Sequence, residues 1–249
     1  MQRALGSAPI PERWMLTRSE AAGLASRALP FILSVISGST DIIGFLGLNG
    51  LFTAHVTGNI VIIAAHVIAG ERATFSAVLA VPVFMLVVFL ARVLAGGIER
   101  AQVSILAPLL LVQLLSLVGF LAVGVAVGPQ TDADSVLAVI AGMLGVAAMA
   151  VQNALVQIAL RDTPATAQMT TNVAHFMVDI AEILVARNAA DVANAGRRAA
   201  RTLPVLLGFA LGCGLGAALE AAAGLWSLAL PVGLALVAFA IGLAQELPP

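Results

Sequence analysis

The sequence predicts an all-α integral membrane protein, a bundle of helices that crosses a lipid bilayer. Of its 249 residues, 61% are hydrophobic and only 10% are charged, whereas about a quarter of the residues in a soluble domain are charged. Apolar stretches of about 18 residues or more, long enough to span a bilayer, recur along the chain. Such spans are expected to be α-helical, because backbone exposed to lipid must satisfy its own hydrogen bonds.

Eight apolar segments follow one another, separated by short stretches that contain charges, glycine or proline. Residues 1–27 are polar and lack the short apolar region of a cleaved signal peptide. We therefore expect a cytoplasmic N-terminal tail at 1–27, followed by a single transmembrane domain at 28–249. The segments are residues 28–50, 52–69, 74–97, 105–127, 136–160, 165–185, 203–219 and 225–244.

The two halves of the transmembrane domain repeat each other. The octets TAHVTGNI, from Thr53, and TAQMTTNV, from Thr166, share Thr, Ala, Thr and Asn at matching positions. The sequence therefore predicts an internal duplication, with repeats at about 28–130 and 135–249. We interpret residues 189–201 as an Arg-rich loop that carries an insertion. Other matches occur in the same order: Asp41 with Asn153, Pro82 with Pro204, Glu99 with Glu220, and Pro108 with Pro231.

The number of crossings decides how the repeats are oriented. Eight crossings would make them parallel, whereas six crossings with two segments that enter and return would make them inverted. In the second segment, the continuous apolar stretch 60–69 makes only about 15 Å of helix, against a hydrocarbon core of about 30 Å. With six crossings and a cytoplasmic N-terminus, every arginine except Arg72 lies on the cytoplasmic side. We favour six full spans plus two broken or re-entrant segments, with eight full spans as the alternative.

Several stretches resemble the motifs of a known family. SGSTDIIGFLGLNGLFTAHVTGNIVII, from Ser37, resembles the N-terminal signature of the YoaK-like family (domain of unknown function 1275) of uncharacterised bacterial inner-membrane proteins. MAVQNALVQ, from Met149, and TTN, from Thr170, resemble its later motifs. The resemblance extends over nearly the whole chain after the tail, and implies a multi-pass inner-membrane protein but no particular reaction. His55 departs from the pattern, which has a less basic polar residue there.

An acidic residue lies deep in the first span. Asp41 follows Ser37, Ser39 and Thr40 well inside the first apolar segment, where a charged side chain costs roughly 2.5–3.5 kcal/mol. Its function could be to bind a proton, a cation or a substrate. Alternatively, it is a hydrogen-bonded acid that holds two helices together.

The octets predict two helix starts within the membrane. Thr57 and Thr170 occupy the expected N-cap positions, and Asn59 and Asn172 follow in the first turns. Free amide groups at such helix starts would attract an anion or a polar solute. The alternative is a pair of capped kinks that bind nothing.

The sixth segment carries a polar stripe. His175, Asp179 and Glu182 are spaced by four and three residues, so they share one helix face. The stripe could be a proton relay or a pore lining, or it could simply face another helix. We expect no metal site and no cofactor, because no zinc-type spacing such as HExxH occurs and Cys213 is the only cysteine.

These features favour a secondary transporter or permease for a small polar or anionic solute, rather than an enzyme. A channel or a non-catalytic membrane partner is the alternative, and an intramembrane enzyme using the sixth-segment stripe is a third hypothesis. Expected partners are the lipid bilayer, the solute or a proton, and possible further copies of the chain; the sequence has no basic patch for nucleic acid. Candidate binding residues are Asp41, His55, Thr57, Asn59, Asn153, Thr170, Asn172, His175 and Asp179.

Overall fold

A computed structural model describes residues 18–101, 104–127 and 132–246. The described residues form helices joined by short loops, with no β-strand among them, which confirms the predicted all-α class. A 3₁₀ turn, Gly224–Leu228, joins the last two helices. The α-helices are α1 (Arg18–Gly47), α2 (Gly58–Ala69), α3 (Phe75–Arg100), α4 (Leu106–Ala126), α5 (Val136–Ala159), α6 (Met169–Val185), α7 (Ala189–Ala223) and α8 (Ala229–Glu246).

The N-terminal tail that the sequence predicts overlaps the first helix. Residues 1–17 lie outside the described residues. Residues 18–27 already belong to α1, which continues without a break into the first apolar segment.

Five stretches of the described chain are long and apolar enough to cross a membrane: Ala28–Gly47, Phe75–Arg100, Leu106–Ala126, Val136–Ala159 and Ala189–Gln245. The last stretch contains both α7 and α8. Large apolar side chains point outward from the bundle; on α3, Phe89 is 63% exposed and Val93 is 57% exposed. A surface of this kind fits lipid rather than water, because soluble monomers rarely expose such large apolar patches.

Helix α7 packs closely along α1 through a row of glycines. A Cβ atom added at Gly208 would lie 2.9 Å from the carbonyl oxygen of Phe31, and one added at Gly216 would lie 2.6 Å from Cγ2 of Ile42. Gly212 lies between them against the backbone of Val35. The contacts advance in the same direction on both helices, so α1 and α7 run parallel. This glycine face is covered by α1 of the same chain and is not free to bind a second copy.

Helices α4 and α5 pack against each other and run antiparallel. Gln113 on α4 donates to Gln152 on α5 at 2.7 Å. Farther along α4, a Cβ atom added at Gly119 would lie 3.3 Å from Leu144, which is nearer the start of α5. The order of contacts is therefore reversed between the two helices.

The directions of α3 and α8 follow from their contacts with α5 and α4. The N–H of Phe75, at the start of α3, donates to Asp134, just before α5, at 2.7 Å. Farther along both helices, Phe84 of α3 and Asn153 of α5 line the same cavity, so α3 and α5 are parallel. Helix α8 packs on α1 and α4. Added Cβ atoms at Gly124 and Gly242 would approach Leu228 and Leu110 respectively, so α4 and α8 are antiparallel.

Helices α2 and α6 are short and lie at the edge of the bundle, where α2 packs on α3 and α6 packs on α7. The twelve residues of α2 make about 18 Å of helix. Each short helix connects two long helices that meet at one end of the bundle. At one end, Gly142 lies close to both Leu48, just after α1, and Ser76, at the start of α3. At the other end, Arg161, just after α5, lines a cavity with Arg198 of α7.

The interpretation of residues 189–201 as a loop is wrong. These residues form the first turns of α7, and the side chain of Asn188 caps the helix by accepting the N–H of Asp191 at 2.8 Å. The stretch is rich in alanine, the residue with the highest helix propensity. The sequence analysis missed this part of α7 because residues 189–201 contain three arginines and few large apolar residues. The helix therefore extends beyond the apolar segment 203–219.

The glycine contact between α1 and α7 predicts the effect of adding a single methyl group. Replacing Gly212→Ala should destabilise the protein by about 1–3 kcal/mol, because the new Cβ would meet the backbone of Val35. The measurement is thermal unfolding in detergent, followed by circular dichroism.

The matched control is Gly214→Ala, two residues away on the same helix, where an added Cβ meets nothing within 4 Å. This variant should be unchanged or up to about 1 kcal/mol more stable, because alanine favours helix. Equal effects of the two substitutions would contradict the described packing.

Candidate functional site

The chain between α1 and α2 turns back along the last two turns of α1, where Asp41 holds it. Asp41 is 5% exposed. Its Oδ1 accepts the backbone N–H groups of Thr53 at 2.8 Å and Ala54 at 2.7 Å, and its Oδ2 lies 2.7 Å from Nδ1 of His55. When Asp41 is ionised, its carboxylate can only accept hydrogen bonds, so Nδ1 of His55 is then the donor. We call residues 48–57 the first break.

One asparagine near the start of each short helix closes the loop that precedes it. The buried Asn59 accepts the N–H of Phe52 at 3.0 Å through Oδ1 and donates to its carbonyl at 2.8 Å through Nδ2. Asn172 donates to the carbonyl of Ala165 at 2.5 Å. Both bonds join an asparagine to the residue seven positions before it. Both asparagines are therefore clamps on their own loops, and both polar ends of Asn59 are already occupied.

The second break, residues 160–168 between α5 and α6, is anchored by uncharged groups. Asn153, which the predicted repeat matches with Asp41, donates to the carbonyl of Met149 in its own helix. Its neighbour Gln152 instead reaches the break, donating to Oγ1 of Thr166 at 2.9 Å and to the carbonyl of Leu33 at 2.8 Å. Sequence reasoning missed Gln152. The available signals were that Gln152 precedes Asn153 and that Thr166 matches Thr53.

The predicted N-cap position is confirmed for Thr57 and wrong for Thr170, and neither threonine caps its helix through its side chain. Thr57 is the N-cap residue of α2, but its exposed side chain makes no capping hydrogen bond. The N–H groups of Gly58, Asn59 and Ile60 bond instead to backbone carbonyls in a tight first turn. Helix α6 begins earlier, at Met169, so Thr170 lies inside its first turn and Gln168 is the N-cap.

The two breaks face each other across an open cleft of about 480 Å³, which we call the central cleft. It contains His55, Thr57, Asn153 and Thr170 from the predicted set, together with Gln168 and Thr171. No Asp, Glu or Arg occurs among the described residues that line it. The lining residues are Ala54, His55, Val56, Thr57, Val81, Phe84, Met85, Asn153, Ala167, Gln168, Met169, Thr170 and Thr171.

A second cleft, of about 460 Å³, lies on the other side of the first break, next to α1 and α7. It is lined by Asp41, Phe209 and Cys213, and it shares His55 and Thr57 with the central cleft. The imidazole ring packs edge-on against Phe209, with ring centres 5.4 Å apart. The bonded Asp41 and His55 side chains therefore lie between the two clefts.

His175 and Asp179 lie apart from this arrangement, in a cavity of about 680 Å³ at the α6–α7 end of the bundle. Asp179 is buried and accepts from Arg198 Nε at 2.7 Å, while Glu182 accepts from the same guanidinium group at 2.5 Å. The polar stripe of α6 is thus paired with an arginine of α7. Thr171 is the residue that this cavity shares with the central cleft.

No group of three or more His, Cys, Asp or Glu side chains within the described ranges is arranged to hold a metal ion.

Comparison with known proteins gives one match. The sequence profile of a family of proteins of unknown function, DUF1275, matches residues 29–241. The chain belongs to the DUF1275 family. No curated protein and no solved structure matches it significantly. The matched region of this DUF1275 protein includes both breaks and the central cleft.

The clamp role of Asn59 in this DUF1275 protein can be tested by removing its side chain. Asn59→Ala leaves the N–H and carbonyl of Phe52 without partners, and leaving such a group unsatisfied costs about 1–3 kcal/mol. We expect thermal unfolding in detergent to show a loss of at least this size.

Thr57→Ala is the matched control, because Thr57 starts the same helix without a side-chain capping bond. Its effect should stay within about 0.5 kcal/mol, as for other surface substitutions. If Thr57→Ala destabilised the protein more than Asn59→Ala, the assignment of clamp and cap would be wrong.

Proposed function

We propose that this DUF1275 protein is a secondary transporter or permease of the bacterial inner membrane, which moves a small polar or anionic solute through the central cleft. The observation that carries this proposal is that backbone breaks from both halves of the chain line one cleft. Broken helices that meet at the interface between repeats, near mid-membrane, form the binding sites of many transporters.

The helix contacts support an internal duplication. Suppose that α1 corresponds to α5, α2 to α6, α3 to α7 and α4 to α8. Each pair of helices that pack together then corresponds to a pair that also pack together. The contact of α1 with α7 corresponds to that of α5 with α3, and the contact of α4 with α5 corresponds to that of α8 with α1. The contact of α2 with α3 likewise corresponds to that of α6 with α7.

The helix directions support six crossings and inverted repeats. Helices α1, α4 and α7 run one way, and α3, α5 and α8 run the other way, so corresponding helices of the two halves are opposed. Helices α2 and α6 would then enter and return, because each joins long helices at the same end of the bundle. We place the N-terminus in the cytoplasm, which leaves Arg72 as the arginine on the outer side.

The start of α6 supports a solute that accepts hydrogen bonds. The N–H groups of Met169, Thr170 and Thr171 have no acceptor among the described residues, whereas those at the start of α2 are bonded to carbonyls. Free N–H groups and the positive end of the helix dipole favour an anion or a carbonyl oxygen. The hydroxyl and amide side chains of the lining fit the same kind of solute.

An enzyme that uses the polar stripe of α6 has weaker support. Asp179 and Glu182 both bind Arg198, which ties up the two carboxylates that such a reaction would need. We therefore propose no catalytic activity.

Uptake into proteoliposomes tests the proposed function. The panel is radiolabelled formate, lactate, glycine, glycerol and phosphate, compared with protein-free liposomes. We expect at least one solute to enter faster with the protein. Thr170→Trp should return its uptake to the protein-free rate, because the indole would fill the central cleft.

Val173→Trp is the matched control, since Val173 lies one turn farther along α6, is exposed, and does not line the cleft. Its uptake should equal that of the unaltered protein. Unchanged uptake by the Thr170→Trp protein would exclude the central cleft as the route.

A further inference from the structure

We propose that Asp41 and His55 together form a proton-binding site, which allows an anionic solute and a proton to occupy the clefts at the same time. This inference names the coupling ion of the proposed transport function. Transport depends on that function, whereas the binding of the proton can be measured without it.

The two halves of the chain provide an internal comparison. The second break is anchored by Gln152 and Thr166, which are uncharged. Anchoring a break therefore does not require an ionisable pair. An acid within a span costs roughly 2.5–3.5 kcal/mol, so the use of Asp41 and His55 in the first half calls for a function beyond anchoring.

The charge of the pair changes by one when it binds a proton. With Asp41 ionised and His55 neutral, the pair carries a net charge of −1. A proton from water that adds to Nε2 of His55 makes an imidazolium, while the bond from Nδ1 to Oδ2 remains in place. The protonated pair is neutral overall, and buried surroundings favour a paired charge over an unpaired one.

Few other ionisable groups face the pair. Cys213 of α7 lines the same cleft, and its thiol donates to the carbonyl of Gly38 at 3.5 Å. Helices α3 and α5 present Val81, Phe84, Met85 and Asn153 beside His55, and none of these titrates. On α2, His66 lies at the far end, 3.9 Å from Glu71. Among the residues that line the two clefts, no arginine offsets the charge of Asp41.

His55 links this charge to the solute. It is the residue of the ionisable pair that lines the central cleft. The unprotonated pair repels an anion there, whereas the protonated pair carries no net charge and offers an imidazolium. Because the coupling between two bound ligands is reciprocal, an anion in the central cleft should strengthen proton binding at His55. The structure thus favours a monovalent anion that moves together with one proton.

Nitrogen-15 NMR of histidine-labelled protein in phosphatidylcholine nanodiscs tests the proton site directly. The chain has only three histidines, so His→Gln variants assign every signal. Between about pH 5 and 9, we expect the imidazole signals of His55 to report the gain and loss of a proton at Nε2. Asp41→Asn should lower the titration midpoint of His55, because the opposite charge and its hydrogen bond to Nδ1 are removed.

The matched control is Asp179→Asn. Asp179 is as buried as Asp41, but it binds Arg198 rather than a histidine, so its replacement should leave the midpoint of His55 unchanged. An unchanged midpoint in Asp41→Asn would overturn the proposal. If Asp41→Asn does not fold, the unaltered protein decides: a His55 that stays neutral throughout this pH range would also overturn the proposal.

A pH gradient then tests coupling. With acid outside, the unaltered protein should accumulate its solute from the five-solute panel, whereas Asp41→Asn should let the solute equilibrate without accumulation. Gradient-driven accumulation by Asp41→Asn would exclude this pair as the coupling site. If none of the panel enters but His55 titrates as expected, the transport proposal fails and the proton site remains.

Discussion

The architecture depends on how backbone hydrogen bonds are satisfied in the two breaks, the loops that precede α2 and α6. A chain that turns back inside an apolar bundle exposes N–H and carbonyl groups, and each such group costs several kcal/mol if it finds no partner in lipid. Here side chains supply those partners. Asp41 takes two amides of the first break, and Asn59 takes both backbone groups of Phe52. Gln152 and Asn172 anchor the second break with neutral groups.

The two breaks differ in the chemistry of the side chains that hold them. In the first half, an acid and a histidine hold the break, and the first turn of α2 bonds to its own carbonyls. In the second half, amides hold the break, and the N–H groups at the start of α6 stay open to the central cleft. In the proposed transport function, the first break therefore binds the proton, and the start of α6 binds the solute.

Composition and repetition made the helical class and the two breaks predictable. The shared asparagines of the octets led directly to Asn59 and Asn172, although their role is to close loops rather than to face a ligand. The bond between Asp41 and Thr53 joins residues twelve positions apart, and local patterns give no register for such a contact. Arg198 was missed as the partner of Asp179 because its alanine-rich surroundings lack the apolar residues by which a membrane helix is recognised.

The central claim is that α2 and α6 enter the membrane and return to the same side. The most direct test is to determine on which side of the membrane four loops lie. In a Cys213→Ser background, single cysteines are placed by Gly70→Cys, Asp132→Cys, Asp162→Cys and Arg187→Cys, and intact cells are treated with a membrane-impermeant maleimide. The account predicts labelling at 70 and 132 from outside, and at 162 and 187 only after permeabilisation. Labelling that placed 132 and 187 on one side and 162 on the other would instead indicate eight crossings and contradict it.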